Sequence, residues 1–437
     1  DSGRTWAVIS QSLPQNEITR VVRVDIKKPG LLFTGTETGI FVSNNDGDTW
    51  DRMQGKFPVV PVYDLKIKDD DLVVATHGRS FWILDDISPL RSVSVSSSNC
   101  ELIAPRAAIR QNIHWSAGIF NGDGKDYSPA FGVNGTSYMT ELPNGKKERK
   151  YLDTGENPPL GAILYYWLDE KSVGKDVKIL IKDSLGKTIA NCGLSNKKAD
   201  DPRKPSSFEG LNRFIWDLTE DSPIGLDDSL KVKKYEPFSK EGGGPPGAKV
   251  KPGKYQVILD VDGDVRSHEL EVISDPRIEV SEEDFSLQHV LYQSVASKLS
   301  DLNIAVNRIR LMKQQLQNMH KIIPDESGKV DILVEKLGKI EGRLIDTKRE
   351  TPRDVLRHAA GFDDTLINLL WVIKIADTKP PSQTKEVTDD VFLKVDSVLT
   401  ELDDLISKDI ADFNVLIAKA KPPAISASSV GAPKTGW

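Results

Sequence analysis

A motif that repeats near the N-terminus constrains the fold of this chain more than any other sequence feature. The two copies correspond at four positions, three of them identical: Asp1, Gly3, Thr5 and Trp6 in the first copy, and Asn45, Gly47, Thr49 and Trp50 in the second. The two tryptophans are 44 residues apart. A period of about 40–50 residues is typical of β-propellers, in which each repeat forms one four-stranded blade. The spacing therefore predicts propeller blades over residues 1–95.

A weaker third copy and the strand pattern agree with this prediction. Phe41 and Trp82 occupy matching positions 41 residues apart, and strand-like runs cover 18–26, 31–34 and 39–43. In such a motif a short Asp or Asn side chain accepts hydrogen bonds from turn amides, and glycine supplies a positive φ. The tryptophan packs back onto the apolar face of the blade. We interpret the motif residues as a structural clip for a hairpin and not as catalytic groups.

These residues resemble the Asp-box, or BNR, repeats of sialidase-like, xyloglucanase-like and sortilin-like β-propellers. The likeness continues through Pro61–Ile67, Leu72–Arg79 and Trp82–Arg91, and through Asn157–Ala162 and Gly210–Leu218 further along. Together these segments resemble the C-terminal half of a bacterial group of large secreted proteins described as glycosyl-hydrolase-like or sortilin-like. The resemblance implies an extracytoplasmic or secreted location in the periplasm, at the cell surface or outside the cell.

The remaining residues divide into four predicted segments. Residues 96–160 are rich in Gly, Asn and Pro with little periodicity, so we expect an irregular linker. Period-two alternation over 161–278 predicts an antiparallel β-sandwich, which resembles immunoglobulin-like or fibronectin type III-like modules. Residues 281–420 change to a helical period and predict an up-and-down bundle of three or four helices. The tail over 421–437 is expected to be disordered.

The helical segment contains the most regular hydrophobic pattern in the chain. Two seams follow spacings of three and four residues: Val295, Leu299, Leu302, Val306 and Ile309, and then Val391, Val395, Val398, Leu402 and Leu405. Such seams predict either internal packing of the bundle or self-association through it. Ser281, followed by three acidic residues, predicts a helix start, and Thr351-Pro352 predicts the start of a third helix.

Composition excludes several functions. The chain has 437 residues and a formal net charge of −7, which disfavours nucleic acid as the main partner. No apolar run approaches the ~20 residues that a membrane span needs. The two cysteines, Cys100 and Cys192, form neither a disulfide framework nor a common zinc site. Because the chain starts inside a repeat, we expect it to be a piece of a longer protein.

The sharpest polar cluster in the sequence is His77 and Arg79 with Asp85 and Asp86 nearby. These four residues could line a propeller mouth and bind an anionic or sugar ligand. Alternatively, Arg79 pairs with an aspartate and stabilises the hairpin, which we favour because a fold alone does not establish a site. The histidines form no metal-ligand spacing and no nucleotide-binding or hydrolase motif is present, so we expect no metal, no cofactor and no catalytic residue in this chain.

Two functions remain open from the sequence. The first is a protein- or glycan-binding scaffold that forms the C-terminal part of a secreted Asp-box propeller protein, with its own N-terminal propeller portion as a further partner. The second is the accessory portion of a glycoside hydrolase whose acid and base lie in earlier blades, because glycoside hydrolysis needs two carboxylates on opposite sides of the sugar. Whether the full-length protein is an enzyme stays open, and we lean against catalysis within this chain.

Overall fold

The structure is a computed structural model, and it describes a defined part of the chain. The described residues are 3–55, 57–92, 99–111, 125–126, 137–141, 147–151, 159–193, 203–230, 245–323, 326–348 and 360–419. Within them the fold is mixed β and α, with several mainly antiparallel sheets followed by a helical C-terminal region. This confirms the expected class of a multidomain β-plus-α chain. The predicted tail over 421–437 lies outside the described residues.

Two small antiparallel sheets form the N-terminal region. The first, the β1–β4 sheet, has its strands in sequence order: β1 (Thr19–Val24), β2 (Leu32–Thr36), β3 (Ile40–Ser43) and β4 (Asp51–Arg52). The second, the β5–β7 sheet, is also in sequence order and is followed by a short helix: β5 (Val62–Lys68), β6 (Asp71–Thr76), β7 (Phe81–Leu84) and α1 (Ser88–Ser92). The four-stranded sheet fits the strand count expected of a blade.

The two N-terminal sheets share one apolar core. Leu31, Phe33 and Val42 from the first sheet region pack in the same buried cluster as Leu65 and Val74 from the second. Alternate residues of a strand face opposite sides, which is why these positions point inward. The opposite side of β2 and β3 is also covered, so every residue of both strands is buried.

Close approach of these sheets requires a glycine. Gly35 lies on β2, and a Cβ atom placed there would be 2.6 Å from Val62 Cγ1 and 2.9 Å from Val21 Cγ1. Both distances are shorter than any ordinary van der Waals contact. A side chain at this position would therefore separate β2 from β5.

Two further sheets pack against each other in the middle of the chain. The three-stranded sheet has the order β16-β13-β8, and the five-stranded sheet has the order β15-β14-β17-β18-β9. Their strands are β8 (Cys100–Leu102), β9 (Ala108–Arg110), β13 (Ala162–Leu168), β14 (Val177–Lys182), β15 (Thr188–Cys192), β16 (Gly210–Trp216), β17 (Gly253–Val261) and β18 (Asp264–Ser274). Three short strands form a separate sheet: β10 (Lys125–Asp126), β11 (Ser137–Glu141) and β12 (Lys147–Tyr151).

The two larger sheets enclose one core, as expected of a sandwich. Tyr166 and Trp216 from the three-stranded sheet are 0% and 1% exposed, and they share a buried cluster with Ile179 and Leu259 of the five-stranded sheet. Cys100 and Cys192 form no disulfide with each other and are both buried in this cluster. Burial raises the pKa of the Cys100 thiol to about 11, so this thiol is protonated at neutral pH.

The structure corrects the expected linker over residues 96–160. Residues 100–102 pair with β13, and residues 108–110 pair in parallel with β18, so this segment supplies one strand to each sheet of the sandwich. The parallel pair also departs from the expected all-antiparallel arrangement. Strands of three residues contain only two inward positions, which is too few for a period-two pattern to be recognised in a sequence.

The helical region contains one long helix and several shorter ones. The elements are α2 (Glu282–Ile322), α3 (Ser327–Leu344), α4 (Phe362–Lys374), α5 (Ser382–Leu405), a π-helical turn (Ile406–Ile410) and α6 (Ala411–Lys419). Ser281 caps α2 as predicted, because its Oγ accepts a hydrogen bond from the Asp284 amide at 3.1 Å. Both predicted seams are buried in a common core. The expected helix start at Thr351-Pro352 lies outside the described residues.

Candidate functional site

The second copy of the motif forms a hydrogen-bonded turn. Asn45 Oδ1 accepts a hydrogen bond from the Thr49 amide at 3.0 Å, and the Asn45 side-chain amide donates to Thr49 Oγ1 at 2.9 Å. Gly47 has a φ of 91°, a conformation that favours glycine. The Trp50 ring is buried and donates from Nε1 to the Ile9 carbonyl at 2.6 Å. These contacts attach the N-terminal segment to the first sheet.

The first copy of the motif differs from the second. Trp6 is 91% exposed, and its Nε1 donates to the Gly3 carbonyl at 3.1 Å. Thr5 is also exposed, and Asp1 lies outside the described residues. The Trp6 ring is therefore not packed against any sheet of the described residues. The expectation that this tryptophan packs onto a blade was therefore wrong.

The structure does not bring the four predicted ligand residues together. His77 and Arg79 lie in the exposed turn between β6 and β7, whereas Asp85 and Asp86 follow β7 at its other end. The four residues of β7 separate the two pairs by about 13 Å. The predicted cluster therefore consists of two separate groups.

The two aspartates belong to a partly buried charge cluster at the end of β7. The Asp86 amide donates to Asp71 Oδ1 at 2.9 Å, and Arg106 reaches the same carboxylate at 2.9 Å. Burial and the neighbouring Asp71 charge raise the pKa of Asp85, and this effect exceeds the opposing influence of Arg106 and Arg213. These contacts join the second sheet to the sandwich, so we assign Asp85 and Asp86 to the junction between them.

The His77 end of the sheets contains a different arrangement, which is built on two β-bulges. The pairing register of β1 with β2 shifts by one residue between Thr19 and Val21. The register of β5 with β6 shifts in the same way between Val62 and Asp64. A bulge leaves one residue outside the ladder and redirects its side chain. Here the two residues are Arg20 and Tyr63.

The two bulges direct their side chains to one place. The Arg20 guanidinium lies over the Tyr63 ring at 5.3 Å, and the His77 ring lies 5.0 Å from the same ring at 42°. Glu37 accepts a hydrogen bond from Arg20 Nε at 2.6 Å and orients the guanidinium. Tyr63 is 49% exposed, so the stack faces solvent. We call Arg20, Glu37, Tyr63 and His77 the bulge patch.

The chemistry of the bulge patch is that of a binding surface. Arg20 and Tyr63 combine a cation, a flat aromatic face and a hydroxyl in one exposed stack. Tyr and Arg dominate the energetics of many protein interfaces. Ile18, two residues before Arg20 in sequence, and Val59, four residues before Tyr63, are 57% and 77% exposed.

Sequence reasoning found His77 but missed its partners. Arg20 and Tyr63 lie in runs that alternate like ordinary strands, and nothing in such an alternation reveals a bulge. Arg79, which the sequence grouped with His77, contributes backbone contacts instead, because its amide donates to Thr76 Oγ1 and its carbonyl accepts from Trp82 Nε1. Within the described part of the chain, no group of three or more His, Cys, Asp or Glu residues is placed to bind a metal ion.

Comparison with known proteins identifies no family. No family model matches this chain, and no curated protein matches it. Among solved structures it is similar to the extracellular domain of the putative one component system BT4673 from B. thetaiotaomicron, with 11% identity and a TM-score of 0.14. The match covers 59% of this chain and 31% of that chain. A likeness at this TM-score carries no argument about fold or function, so the resemblance to Asp-box propellers stays a prediction.

Among the helices that the structure describes, none combines the length and the apolar character needed to cross a bilayer. The 41 residues of α2 are long enough, but charged and polar residues occur throughout that helix.

Proposed function

We propose that this chain is a binding scaffold that recognises a protein partner through the bulge patch. The observation that carries the proposal is the pair of β-bulges that stack Arg20 on Tyr63 beside His77. Bulges interrupt the hydrogen-bonded ladder of a sheet and occur preferentially near functional sites. Two bulges in separate sheets that direct side chains to a common exposed position are difficult to explain by stability alone.

The finer architecture is part of the same proposal. We infer that the two N-terminal sheets are consecutive propeller blades, because the repeat spacing matches one blade and the first sheet has four strands in sequence order. The central sandwich would be immunoglobulin-like or fibronectin type III-like, and the helices would form an up-and-down bundle. In this arrangement the sandwich and the bundle support the N-terminal sheets, and the protein acts outside the cytoplasm.

The residues around the patch favour a protein over a glycan. Exposed apolar side chains precede both bulges in sequence, at Ile18 and Val59, and interfaces between proteins combine such side chains with Tyr and Arg. Arg20, Arg79 and the imidazole of His77 place cationic or ionisable groups at this end. We therefore expect the recognised segment to carry at least one carboxylate and one apolar side chain.

A peptide-display library tests the proposal with a defined probe. Random peptides selected on the full chain should contain acidic and apolar residues, and their affinity should fall by about tenfold or more in Tyr63→Ala, because Tyr side chains at the centre of an interface contribute about 1.4 kcal/mol or more. The matched control is Phe208→Ala, which removes an aromatic ring that is 69% exposed on the sandwich. This variant should bind the selected peptides like the wild type.

A glycan array probed with the same variants separates the alternatives. If the wild type binds a saccharide and Tyr63→Ala does not, the ligand of the bulge patch is a glycan and not a protein. That result would favour the hydrolase-associated role. Peptide binding that is equally strong in wild type and Tyr63→Ala would show that the patch is not the binding surface. Absence of selectable peptides would overturn the proposal of a protein partner.

A further inference from the structure

Strand β7 has an exposed apolar edge that its counterpart in the first sheet does not have. Residues of β3 are all buried, and β3 pairs with β4 on its outer side. At the matching position of the repeat, β7 pairs among the described strands with β6 alone. Phe81 is 74% exposed and Ile83 is 60% exposed. An exposed apolar edge strand is a template for pairing with another strand.

The hydrogen-bonding groups of β7 have a defined orientation. The Thr76 amide donates to the Ser80 carbonyl, and the register continues with Ala75 opposite Phe81 and Val74 opposite Trp82. Hydrogen-bonded and non-hydrogen-bonded pairs alternate along an antiparallel ladder. The amide and carbonyl groups of Phe81 and Ile83 therefore point away from β6, toward the exposed edge.

The sequence of this edge is complementary to itself. In an antiparallel pair with Trp82 opposite Trp82 of a second copy, Phe81 lies opposite Ile83 of that copy, and both residues present outward-pointing amides and carbonyls. Apolar pairs at directly facing positions stabilise a sheet.

We propose that two copies of this chain associate through antiparallel pairing of their β7 strands. The pairing joins the two β5–β7 sheets into one six-stranded sheet about a two-fold axis at Trp82, which is the self-complementary arrangement expected of a symmetric dimer. It also covers Phe81 and Ile83. The bulge patch lies at the opposite strand ends from Asp85, so each dimer presents two patches.

Sedimentation velocity over about a hundredfold range of protein concentration tests the association, since dimer formation depends on concentration. The wild type should shift from monomer to dimer, and Ile83→Lys should raise the dissociation constant about tenfold or more because it places a charge in the apolar pair. The matched control is Leu185→Lys, which makes the same change at a residue 91% exposed in the β14–β15 turn. It should dimerise like the wild type.

Cross-linking tests the register with variants that leave the charge unchanged. In the proposed register, a Phe81→Cys chain and an Ile83→Cys chain bring their introduced cysteines together with Cα atoms about 5.5 Å apart, within the range for a disulfide. Two identical variants would place their introduced cysteines about 9 Å apart, which is too far. A mixture of the two variants should therefore give mainly the mixed disulfide. Cys100 and Cys192 are fully buried and do not compete.

Each outcome decides the proposal. A concentration-dependent dimer that is weakened by Ile83→Lys and cross-links as the mixed pair supports it. A wild type that stays monomeric throughout, a dimer indifferent to Ile83→Lys, or cross-links that form equally between identical variants would overturn it. If dimerisation persists in Ile83→Lys and is lost when surface residues of the helices change, self-association through the bundle replaces β7 pairing. Tyr63→Ala should dimerise normally, which separates this test from that of the bulge patch.

Discussion

The sandwich is joined to the helical region and to the N-terminal sheets by two very different junctions. At the helical junction, the Arg110 side chain on β9 is 5% exposed, forms an ion pair with Asp377 and donates from Nε to the Val250 carbonyl at 2.9 Å. Gln288 on α2 accepts a further hydrogen bond from Arg110 at 3.1 Å. The guanidinium is thus buried with several partners, which is the condition under which a buried charge is tolerated.

Helix α2 extends this junction along the loop after β16. Asn303 donates to the Ile224 carbonyl at 2.8 Å, and Asn307 accepts from the Asp227 amide at 2.9 Å. His289 lies 2.8 Å from Glu220. Burial acts to raise the pKa of Glu220, but hydrogen bonds from His289 and Gln293 outweigh it and lower the pKa. Ala248 from the same region belongs to the core of the helices.

The junction with the N-terminal sheets is mainly electrostatic. Arg106 and Asp71 form an ion pair at 2.9 Å, and both side chains are about one-third exposed. Asp85 adds a charge interaction with Arg213 on β16. The apolar core of the N-terminal sheets contains no described residue of the sandwich. We therefore expect the sandwich and the helices to unfold together, and the N-terminal sheets to form a separately stable unit.

The largest loss of folding stability is expected when the buried ion pair between Arg110 and Asp377 is broken. Arg110→Met leaves the Asp377 carboxylate, which is 3% exposed, without this partner. Breaking a buried pair on one side costs about 3–5 kcal/mol. Chemical denaturation should show that loss. The single unfolding transition expected for the sandwich and the helices should also separate into two transitions. Arg110→Met with Asp377→Asn should recover part of the stability, because the second change removes the charge of the buried carboxylate. An unchanged midpoint in Arg110→Met would contradict the proposed coupling.

The free energy of unfolding is expected to depend on pH through Lys249, which lies at the same junction. Burial, with Arg110 and Lys374 nearby, lowers the pKa of Lys249 to about 8. In the unfolded chain this amine titrates at about 10.4, so between about pH 8 and 10 the unfolded state binds more protons and stability rises with pH. The wild type should therefore gain roughly 2–3 kcal/mol relative to Lys249→Met over this range. Denaturation at several pH values measures the difference.

The control for this pH effect is an exposed lysine. Lys254 is paired with Glu269 at the surface, and that interaction raises the pKa of Lys254. Lys254→Met should consequently show a small difference of opposite sign, because the pair is lost as the pH rises through the raised pKa. If Lys249→Met and wild type change in parallel with pH, the junction does not bury this amine.

A side chain added at Gly35 should destabilise the two N-terminal sheets without destabilising the sandwich and the helices. Gly35→Ala forces β2 away from Val62 and should destabilise these sheets by about 1–3 kcal/mol. Hydrogen exchange should accelerate in β2 and β5 while exchange in α2 stays unchanged. Gly225→Ala is the matched control, since a Cβ atom there meets no heavy atom within 4 Å. Faster exchange in α2 as well would show that the two units are coupled.

The sequence predicted those parts of the fold that depend on long periodic patterns. The seam of α2, which includes Leu302 and Val306, is buried because five spaced apolar residues on one face leave little alternative to core packing. The turn at Asn45 was predictable for a similar reason, because its side-chain hydrogen bonds are formed within a few residues of the chain. The local signal was sufficient in both cases.

The remaining features depend on contacts distant in sequence. Strands β8 and β9 exist because β13 and β18 pair with them, and their own three residues contain no such information. Arg20 and Tyr63 are 43 residues apart, and two register shifts bring them together. The proximity of His77 to Asp85 in sequence was misleading, because an intervening strand carries the chain to the opposite end of the sheet.

The smallest loss of folding stability is expected at the junction between the N-terminal sheets and the sandwich, where the ion pair is partly exposed. Arg106→Ala removes a partly exposed pair to Asp71, and such pairs contribute about 1 kcal/mol or less. Because salt screens exposed charges, the difference between Arg106→Ala and wild type should decrease at high ionic strength. The loss caused by Arg110→Met should persist under the same conditions, since its pair is buried. Denaturation of both variants in low and high salt compares the two junctions directly, and equal salt dependence would remove the distinction between them.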